Sequence, residues 1–447
     1  MSRVITEPRR ETAVHGEYEV VVLGGGPAGI ASAVAAARAG RRTLLIERYG
    51  FLGGMGTAAG VTNFCGLHAN VHGEYRRVVD GIASDLLDRI ERLGGLNAPH
   101  VAMARIQAQA YDTAAYKIAA DELLLSCGVE IMFHALAAGV AMASPSWISA
   151  LFVETKSGRR AVPSEIFIDC SGDGDLAAWA GAPFEVGDGA GNMLYPSAMF
   201  RINGVEANRV DHSWSGLGQL MAAEEARRGR PVPRKSPIVR PQKHDIEWRA
   251  NLTQLARDDG AAINGIDAED LTRGEIIGRQ QIADIFSFLQ TVPGFEKSYI
   301  VDIAPQIGIR ETRRITGQYV LTEDDVLGCV DFEDTIGVNG WPIEAHTSGD
   351  IQFTWAPKGS RGFNQLPFRM LLPQGITNLL VAGRCASMSH MGQSAARVSG
   401  ACFVMGQAAG TAAALALSSA VSPADVSISR LQEQLARDGA NLGHTAI

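Results

Sequence analysis

The sequence predicts an α/β fold: a doubly wound sheet with an antiparallel meander and an inserted α+β region. Two observations carry this prediction. A strand, a glycine-rich turn, a helix and a second strand follow one another between residues 18 and 46, which is the order of a βαβ unit. Far along the chain, a buried strand at Asn378–Ala382 leads through a glycine into an Ala-rich helix. We therefore expect the chain to return to its first sheet after the inserted region.

The early elements are predicted from apolar runs and the residues that interrupt them. Tyr18–Leu23 and Arg42–Ile46 read as buried strands, and Pro27–Ala39 reads as the helix between them. A longer helical pattern covers Ile106–Ser126, and Val129–Phe133 has the pattern of the next parallel strand. These elements extend the doubly wound sheet.

The composition and the hydrophobic pattern of the sequence change after Ala137. Short strand-like runs separated by turn residues between Ala137 and Ile168 predict the meander. From about Gly181 to Gly362 the chain becomes Pro- and Arg-rich near Arg230, with scattered helices and strands. The expected division is a leader at 1–17, the first part of a nucleotide-binding domain at 18–180, a substrate domain at 181–362 and the rest of the first domain at 363–447.

Composition narrows the class of protein. The 447 residues are 46% hydrophobic and 20% charged, and the net charge is −8, which argues against nucleic acid as a principal partner because phosphate binding needs surplus Lys and Arg. Six widely spaced cysteines form no CxxC pair, so a reducing, cytoplasmic setting is expected. The first 17 residues have no apolar core, and we expect neither a signal peptide nor an anchor there.

One stretch has a membrane-like composition. Ser399–Ala420 is rich in Ala and Gly and contains Gly406 and Gly410 four residues apart, a spacing also found where membrane helices pair. Gln407 interrupts it, and small residues carry little lipophilicity. A tightly buried helix is therefore the expected structure, without membrane insertion.

The strongest local motif is Gly24–Gly29, with the sequence GGGPAG between a strand and a helix. Gly24 permits the tight turn, Gly26 lets the backbone approach a diphosphate, and Gly29 allows the helix to pack closely on the strand. Glu47 ends the next strand, where a carboxylate binds ribose hydroxyls and repels a 2′-phosphate. Together these features predict a dinucleotide site, whereas the motif alone would not separate NAD from FAD.

Three further segments resemble the FAD-dependent oxidoreductases, the two-domain flavoproteins related to glutathione reductase and succinate dehydrogenase. They are Glu47–Thr57, Ile168–Asp175 and Asn378–Arg384, the last continued by Ser387 to Gly410. In that family the corresponding segments run past the diphosphate, lie beside the flavin, and point a helix N-terminus toward it. Without the resemblance, Asp173 and Asp175 could equally be turn and helix-cap residues.

The resemblance implies FAD as cofactor. The residues expected to bind it are Gly24, Gly26, Pro27, Ala28, Gly29, Glu47, Arg48, Gly53, Gly54, Met55, Thr57, Asp173, Gly383 and Arg384. A second glycine-rich βαβ unit and a redox cysteine pair, both expected in the glutathione reductase pattern, are missing from the sequence. The chain is therefore expected to have no built-in NAD(P)H domain.

Catalytic candidates come from two segments. Gly308–Gly317 resembles a recurring run of the family and carries three arginines within five residues. Arg310 could bind a substrate carboxylate through its paired N–H donors, or pair internally with Glu311. His390 follows the Gly383 segment and could donate to the flavin carbonyl or move a substrate proton, or serve only as a helix-cap or core residue. The candidates are His390, Arg310 and Arg397.

Other reactive side chains are interpreted as structural. Cys65 could face the flavin, but without a partner cysteine a small buried hydrophobe is the better interpretation. His68 and His72 have a four-residue spacing without a third ligand nearby. No metal is expected.

The expected function is hydride transfer between the flavin and a small organic substrate. The basic side chains of the candidate residues would suit a substrate that carries a carboxylate. Electrons would pass to or from an unknown external carrier, and a homo-oligomer is left open. One alternative is a reductase of an activated double bond fed by an external donor. The other is a non-catalytic flavin-binding assembly protein.

Overall fold

The structure is a computed structural model that describes residues 5–6, 9–102, 105–210, 214–229 and 231–444. In the first part of the chain the strands are β1 (Tyr18–Leu23), β2 (Thr43–Ile46), β3 (Asn63–Cys65), β4 (His68–Val71), β5 (Glu74–Arg77), β6 (His100–Ala102), β7 (Ile106–Ala110), β8 (Glu130–Met132), β9 (Leu136–Ser144), β10 (Trp147–Thr155), β11 (Gly158–Asp169) and β12 (Phe184–Val186). The helices there are α1 (Pro27–Arg38), α2 (Met55–Ala58), α3 (Ile82–Arg92), α4 (Thr113–Ser126) and α5 (Asp175–Trp179).

The rest of the chain carries a second set of elements. Its strands are β13 (Phe200–Asn203), β14 (Ile238–Pro241), β15 (Glu247–Asn251), β16 (Tyr299–Ile303), β17 (Arg313–Ile315), β18 (Thr335–Asn339), β19 (Ile343–Thr347), β20 (Asp350–Thr354), β21 (Asn364–Pro367) and β22 (Leu379–Val381). Its helices are α6 (Trp214–Arg228), α7 (Ala268–Leu289), α8 (Glu323–Leu327), α9 (His390–Ala396), α10 (Ser399–Ser419) and α11 (Ile428–Arg437). Single 3₁₀ turns lie at Ala207–Arg209, Phe368–Leu371 and Pro423–Asp425.

The main sheet mixes parallel and antiparallel strands in the order β8-β2-β1-β11-β10-β9, with β22 also paired to β11. Strand β1 runs parallel to β2 and to the end of β11, and β22 joins the same parallel group. Strands β9 and β10 pair antiparallel with each other, and β10 pairs antiparallel with the first half of β11. The carboxyl ends of β1, β11 and β22 therefore meet at one edge, where ligands bind in open α/β sheets.

The predicted α/β class and the initial β1-α1-β2 unit are confirmed, but the predicted helix over Ile106–Ser126 is wrong in its first part. Ile106–Ala110 forms strand β7, which pairs with β3 and β6. The helix begins only after Asp112, whose side chain accepts a hydrogen bond from the Ala115 N–H at 2.8 Å. This cap ends the strand and starts α4.

A second, antiparallel sheet has the order β14-β15-β13-β16. Its apolar face packs with α7 around Phe200, Trp248 and Phe295, in a cluster separate from the core of the main sheet. Arg240, Arg249 and Asn251 of this sheet line the cavity described below.

Among the described residues, helix α10 is the one long and apolar enough to cross a membrane, and 83% of its apolar window is buried within the fold. It packs against α1 at close range. A Cβ at Gly406 would overlap the Ala28 carbonyl, and one at Gly410 would overlap the Ser32 carbonyl. The predicted tightly buried helix is confirmed, and its glycines are explained by the approach to α1.

Candidate active site

The turn after β1 has no room for side chains at two of its glycines. Gly24 has a φ of +102°, and a Cβ there would overlap the Cys170 carbonyl. A Cβ at Gly29 would overlap the Gly24 carbonyl oxygen. Both positions therefore keep the end of β1, the start of α1 and the end of β11 in close contact.

Gly26 is different, because the protein itself leaves space for a side chain there. The nearest atom to a Cβ at Gly26 would be the Gly54 Cα, at 3.7 Å. Gly26 is also the N-cap of α1, and no side chain caps this end of the helix. The first-turn N–H groups and the helix dipole are thus available to an anionic group such as a diphosphate.

Glu47 is held where its oxygens face this turn. Oε2 accepts a hydrogen bond from the Gly25 N–H at 2.7 Å, and Oε1 accepts one from the Tyr49 N–H at 3.0 Å. The residue is 6% exposed and lines the cavity described below. These bonds fix the carboxylate at the end of β2, where a ribose would lie beside a diphosphate on α1.

The predicted glycine loop after Glu47 closes over the same turn. Gly53 and Gly54 have φ values of +110° and +54°, and the Gly53 N–H donates to the Gly25 carbonyl at 2.8 Å. Thr57 donates its hydroxyl proton to the Leu52 carbonyl at 2.7 Å. Thr57 thus fixes the loop from behind, and Gly54 and Met55 line the cavity.

The predicted residues from three distant segments meet at a buried ion pair. Arg384 Nη2 lies 2.9 Å from Asp173 Oδ1, and its Nη1 donates to Thr312 Oγ1 at 2.8 Å. Arg48 Nη1 lies 3.9 Å from the other Asp173 oxygen. At Gly383 a Cβ would come within 3.1 Å of the Ala28 Cβ. The ion pair therefore connects the β11, Thr312 and β22 segments beside the glycine turn.

A single cavity of about 810 Å³ extends from this turn toward the second sheet. Its volume lies in the range of cofactor and ligand sites. At one end it is lined by Gly24 to Ala28, Glu47, Arg48, Gly54, Asp173, Gly383 and Arg384, and elsewhere by Cys65, His100, Arg240, Arg249, Arg310, Glu344, His346 and Arg397.

Comparison with known proteins identifies the cofactor. The model of a family described as FAD-dependent oxidoreductases matches residues 19–435. The chain belongs to the FAD-dependent oxidoreductase family. FAD is its cofactor, as the resemblance predicted. The open Gly26 position, the uncapped α1 N-terminus and the Glu47 carboxylate form a cradle that fits a dinucleotide.

Several solved structures are similar to this flavoprotein. A geranylgeranyl bacteriochlorophyll reductase-like protein from Thermoplasma acidophilum has 14% identity and a TM-score of 0.50, covering 95% of this chain and 84% of that chain. A myxobacterial FAD-dependent halogenase has 13% identity and a TM-score of 0.45, over 94% and 78% of the two chains. An anhydrotetracycline hydroxylase from Streptomyces rimosus has 13% identity and a TM-score of 0.43, over 94% and 70%. No curated protein sequence matches the chain.

The flavoprotein's cavity contains the predicted Arg310 and Arg397. Arg310 is 6% exposed, and its Nη1 donates to the Tyr195 carbonyl. Arg397 Nη2 donates to the Glu344 carbonyl at 3.1 Å, while its Nε is buried without a hydrogen-bond partner. Burial lowers the pKa of both groups, and for Arg310 other nearby arginines lower it further. Both guanidinium groups thus retain donors for an anionic ligand.

Two residues that the sequence analysis missed lie beside these arginines. Glu344 Oε1 is 3.0 Å from His346 Nε2, and Glu344 Oε2 accepts a bond from the Trp341 indole N–H at 2.8 Å. Burial opposes the charge on Glu344, but these two donors and Arg397 lower its pKa to about 2. Burial, followed by Arg310, lowers the pKa of His346 well below its usual value. The pair is therefore a carboxylate that accepts a hydrogen bond from the Nε2–H of a neutral imidazole.

A signal for this pair was present in the sequence. Glu344 and His346 are two residues apart on strand β19, so both side chains lie on one face. Two titratable residues that alternate with the apolar Ile343 and Ala345 in the sequence would have been reasonable candidates.

His390 is placed elsewhere. Its Nδ1 lies 2.9 Å from Glu311 Oε1, and the buried Glu311 also contacts Arg314 and accepts a bond from the Leu194 N–H at 2.9 Å. Within the part of the chain that the structure describes, His390 is not one of the residues lining the cavity. Its catalytic role stays a prediction.

Cys65 does line the cavity. Burial raises the pKa of its thiol to about 12, with a further increase from Glu344. The residue is therefore a neutral thiol at physiological pH rather than a nucleophilic thiolate.

Proposed function

We propose that this flavoprotein catalyses hydride transfer between FAD and a small substrate bearing a carboxylate. The observation that supports this best is the presence of the Arg310 and Arg397 guanidinium groups in the cavity that begins at the dinucleotide cradle. When bound, FAD supplies the redox chemistry by accepting or donating the hydride. The protein binds the substrate, orients it and handles the proton.

Charge balance favours an anionic substrate. Arg310 and Arg397 donate to main-chain carbonyls, and Glu344 is a cavity-lining carboxylate that acts to raise the pKa of both, against the larger effect of burial. Buried positive charge is costly unless it is paired and hydrogen-bonded. A substrate carboxylate would supply the missing charge and could accept two N–H groups from one guanidinium.

The Glu344–His346 pair is proposed to hold the proton that accompanies the hydride. A neutral His346 that donates Nε2–H to Glu344 leaves Nδ1 as an acceptor. The carboxylate fixes this tautomer and stabilises the imidazolium formed when Nδ1 takes a proton. The pair can therefore act as a general base, or as a general acid in the reverse direction.

Domain roles follow the same proposal. Residues 18–180 and 363–447 would bind FAD, and residues 181–362 would form the inserted substrate domain that contributes Arg310, Glu344 and His346. Electrons would enter or leave through an external carrier.

The reaction is tested by anaerobic spectroscopy on the FAD-loaded protein. Oxidised protein is mixed with a panel of hydroxy, amino and saturated carboxylates, and dithionite-reduced protein with unsaturated and keto carboxylates. We expect at least one carboxylate to bleach or restore the flavin absorption. If no carboxylate does so in either direction, while neutral compounds do, the proposal is wrong.

Two matched variants test the residue roles. Arg397→Gln should raise KM by roughly thirty-fold or more, because one partner of a buried charge pair is lost, whereas Arg201→Gln should not, since Arg201 pairs with Glu247 at 2.8 Å and is absent from the cavity lining. His346→Gln should lower kcat by about 10²-fold and remove a pH-dependent step. A loss of the same size in His390→Gln, with His346→Gln active, would assign the proton to His390 instead.

A further inference from the structure

A second group of arginines in the cavity is not used by the proposed reaction. Arg240 on β14 lies directly opposite Arg249 on β15 in their antiparallel ladder, and both line the cavity. Like charges at directly opposite positions of a sheet repel each other. The pairing is therefore unfavourable unless something negative lies between or in front of the two side chains.

Neither arginine has a carboxylate partner among the hydrogen bonds and ion pairs of the described residues. Arg249 is 4% exposed, and it donates from Nε to the Gly60 carbonyl at 3.2 Å and from Nη2 to the Met199 sulfur at 2.9 Å. Arg240 Nη2 is buried with no hydrogen-bond partner. At least one strong donor of these two cavity-lining arginines is thus unsatisfied, which native structures rarely show without a ligand, ion or water.

The neighbouring titratable groups do not supply the missing charge. Burial raises the pKa of Cys65 to about 12 and also raises that of Tyr111, so both are neutral. Burial, followed by Arg240, lowers the pKa of His100 to about 4. Glu344 is already engaged by His346 and Trp341.

A third arginine in the same sheet has carboxylate partners. Arg201 on β13 lies opposite Arg249, and it is paired with Glu247 at 2.8 Å and with Asp302 at 3.2 Å. The sheet therefore neutralises the arginine outside the cavity and leaves the two inside it unpaired. This contrast indicates that the positive charge of Arg240 and Arg249 is intended for a ligand.

We propose that Arg240 and Arg249 form a second anion subsite, which binds the distal carboxylate or phosphate group of a dianionic substrate. The inference rests on the proposed function, in which Arg310 and Arg397 hold the first carboxylate. The substrate class is thereby narrowed from carboxylates in general to molecules with an anionic group at each end. A carboxylate and a phosphate share the chemistry that two guanidinium groups recognise.

The test is calorimetric titration of the oxidised, FAD-loaded protein with non-reacting probes. Succinate, glutarate and adipate are compared with butyrate, valerate and hexanoate, and phosphonoacetate with acetate. We expect at least one dianion to bind roughly thirty-fold more tightly than the monoanion of matching length. A gain with a dicarboxylate identifies the distal group as a carboxylate, and a gain confined to the phosphonate identifies it as a phosphate.

Variants connect the gain to the residues. Arg240→Gln should abolish the dianion advantage, Arg240→Lys should keep part of it, and Arg201→Gln should leave it unchanged, with thermal melting and flavin content recorded for each. Dianions that bind no better than monoanions, an advantage that survives Arg240→Gln, or loss of FAD from Arg240→Gln without ligand would each overturn the subsite. Failure of the proposed function looks different, because monoanion binding would then be absent or insensitive to Arg397→Gln.

Discussion

Individual glycines of the first turn lack side chains for different reasons. A Cβ at Gly24 or Gly29 would overlap protein backbone. At Gly26 the space is open, because the nearest atom to a Cβ would be the Gly54 Cα at 3.7 Å. Gly26 also has φ −75° and ψ −176°, which any residue can adopt. The absence of a side chain at Gly26 therefore serves the ligand, and that at Gly24 and Gly29 serves the fold.

Gly26→Ala should consequently separate cofactor binding from folding. We expect the purified variant to be colourless and to bind FAD at least tenfold more weakly, because the methyl group occupies the approach to the α1 N-terminus. The apoprotein should melt within a few degrees of the wild-type apoprotein. Gly29→Ala is the control, and it should lower the melting temperature of the apoprotein; equal destabilisation by both changes would contradict this account.

The Glu344–His346 pair makes stability depend on pH in a defined direction. His346 has a folded-state pKa below its unfolded value of 6.5, so the unfolded chain binds a proton that the folded chain does not as pH falls below 6.5. Glu344, with a pKa of about 2 against 4.5, adds a loss as pH falls below 4.5. Wild-type stability should thus fall from pH 7.5 to 5.5, by at most about 1.4 kcal/mol per pH unit for this histidine.

Urea denaturation of wild type and His346→Gln at these two pH values measures the histidine's share. The variant should lose less stability than wild type over the interval. Parallel losses in the two proteins would show that His346 is not held neutral in the folded state.

At the same scale, sequence reasoning located the cofactor residues better than the substrate residues. Gly26 and Glu47 belong to one short contiguous unit whose spacing has a physical meaning. The roles proposed for Arg240 and Arg249 become apparent only when separate strands bring the two residues to one cavity. No local pattern distinguishes such an arginine from one that is neutralised on the surface, as Arg201 is.

Among the elements, α10 determines how firmly α1 is held. The two helices approach so closely that Gly406 and Gly410 would place a Cβ on the carbonyls of Ala28 and Ser32. The Ser32 hydroxyl also donates to the Gly406 carbonyl at 3.0 Å. Helix α10 thus supports the helix whose N-terminus faces the diphosphate.

Gly410→Ala should therefore destabilise the protein by about 1–3 kcal/mol through overpacking, and it should weaken FAD binding by displacing α1. Gly218→Ala is a matched control in α6, where a Cβ would meet no atom within 4 Å. The control should raise stability slightly, by up to about 1 kcal/mol, because Ala is the better helix former. Denaturant titrations of both variants measure the free energy of unfolding. If Gly410→Ala leaves it unchanged, the tight contact between α1 and α10 is refuted.

The sequence predicts an element correctly where the local hydrophobic pattern determines its structure. It fails where pairing with strands distant in the sequence determines the structure. The β1-α1-β2 unit follows from apolar runs bounded by glycine. In Ile106–Ala110 the alternating Gln side chains also suit a strand, and pairing with β3 and β6 overrides the helical pattern that continues into α4. The Asp112 cap marks the boundary, and it is visible in the sequence once the strand is known.

On the scale of the whole molecule, the cofactor site joins segments from across the chain. The ion pair of Arg384 with Asp173 spans 211 residues, and Thr312 bonds to both. Such a site exists only in the folded protein, so FAD binds the native state and stabilises it.

Free FAD at a hundredfold excess over its Kd should raise the free energy of unfolding of the apoprotein by about 2.7 kcal/mol. Differential scanning calorimetry of the apoprotein with and without FAD measures the shift. In Arg384→Leu the shift should shrink at the same FAD concentration, because the junction of the segments is lost. An unchanged melting temperature on adding FAD to the wild-type apoprotein would contradict a site assembled in this way.

The contact between α1 and α10 has a consequence for biosynthesis. Ser32 and Gly406 are 374 residues apart, so α1 leaves the ribosome long before its packing partner is translated. Until then the small-residue face of α1 lacks its native packing partner, and exposed apolar surface of this kind makes an incomplete chain prone to aggregation. The FAD site, which brings Gly383 and Arg384 to the first glycine turn, is accordingly complete only after these late residues have been translated.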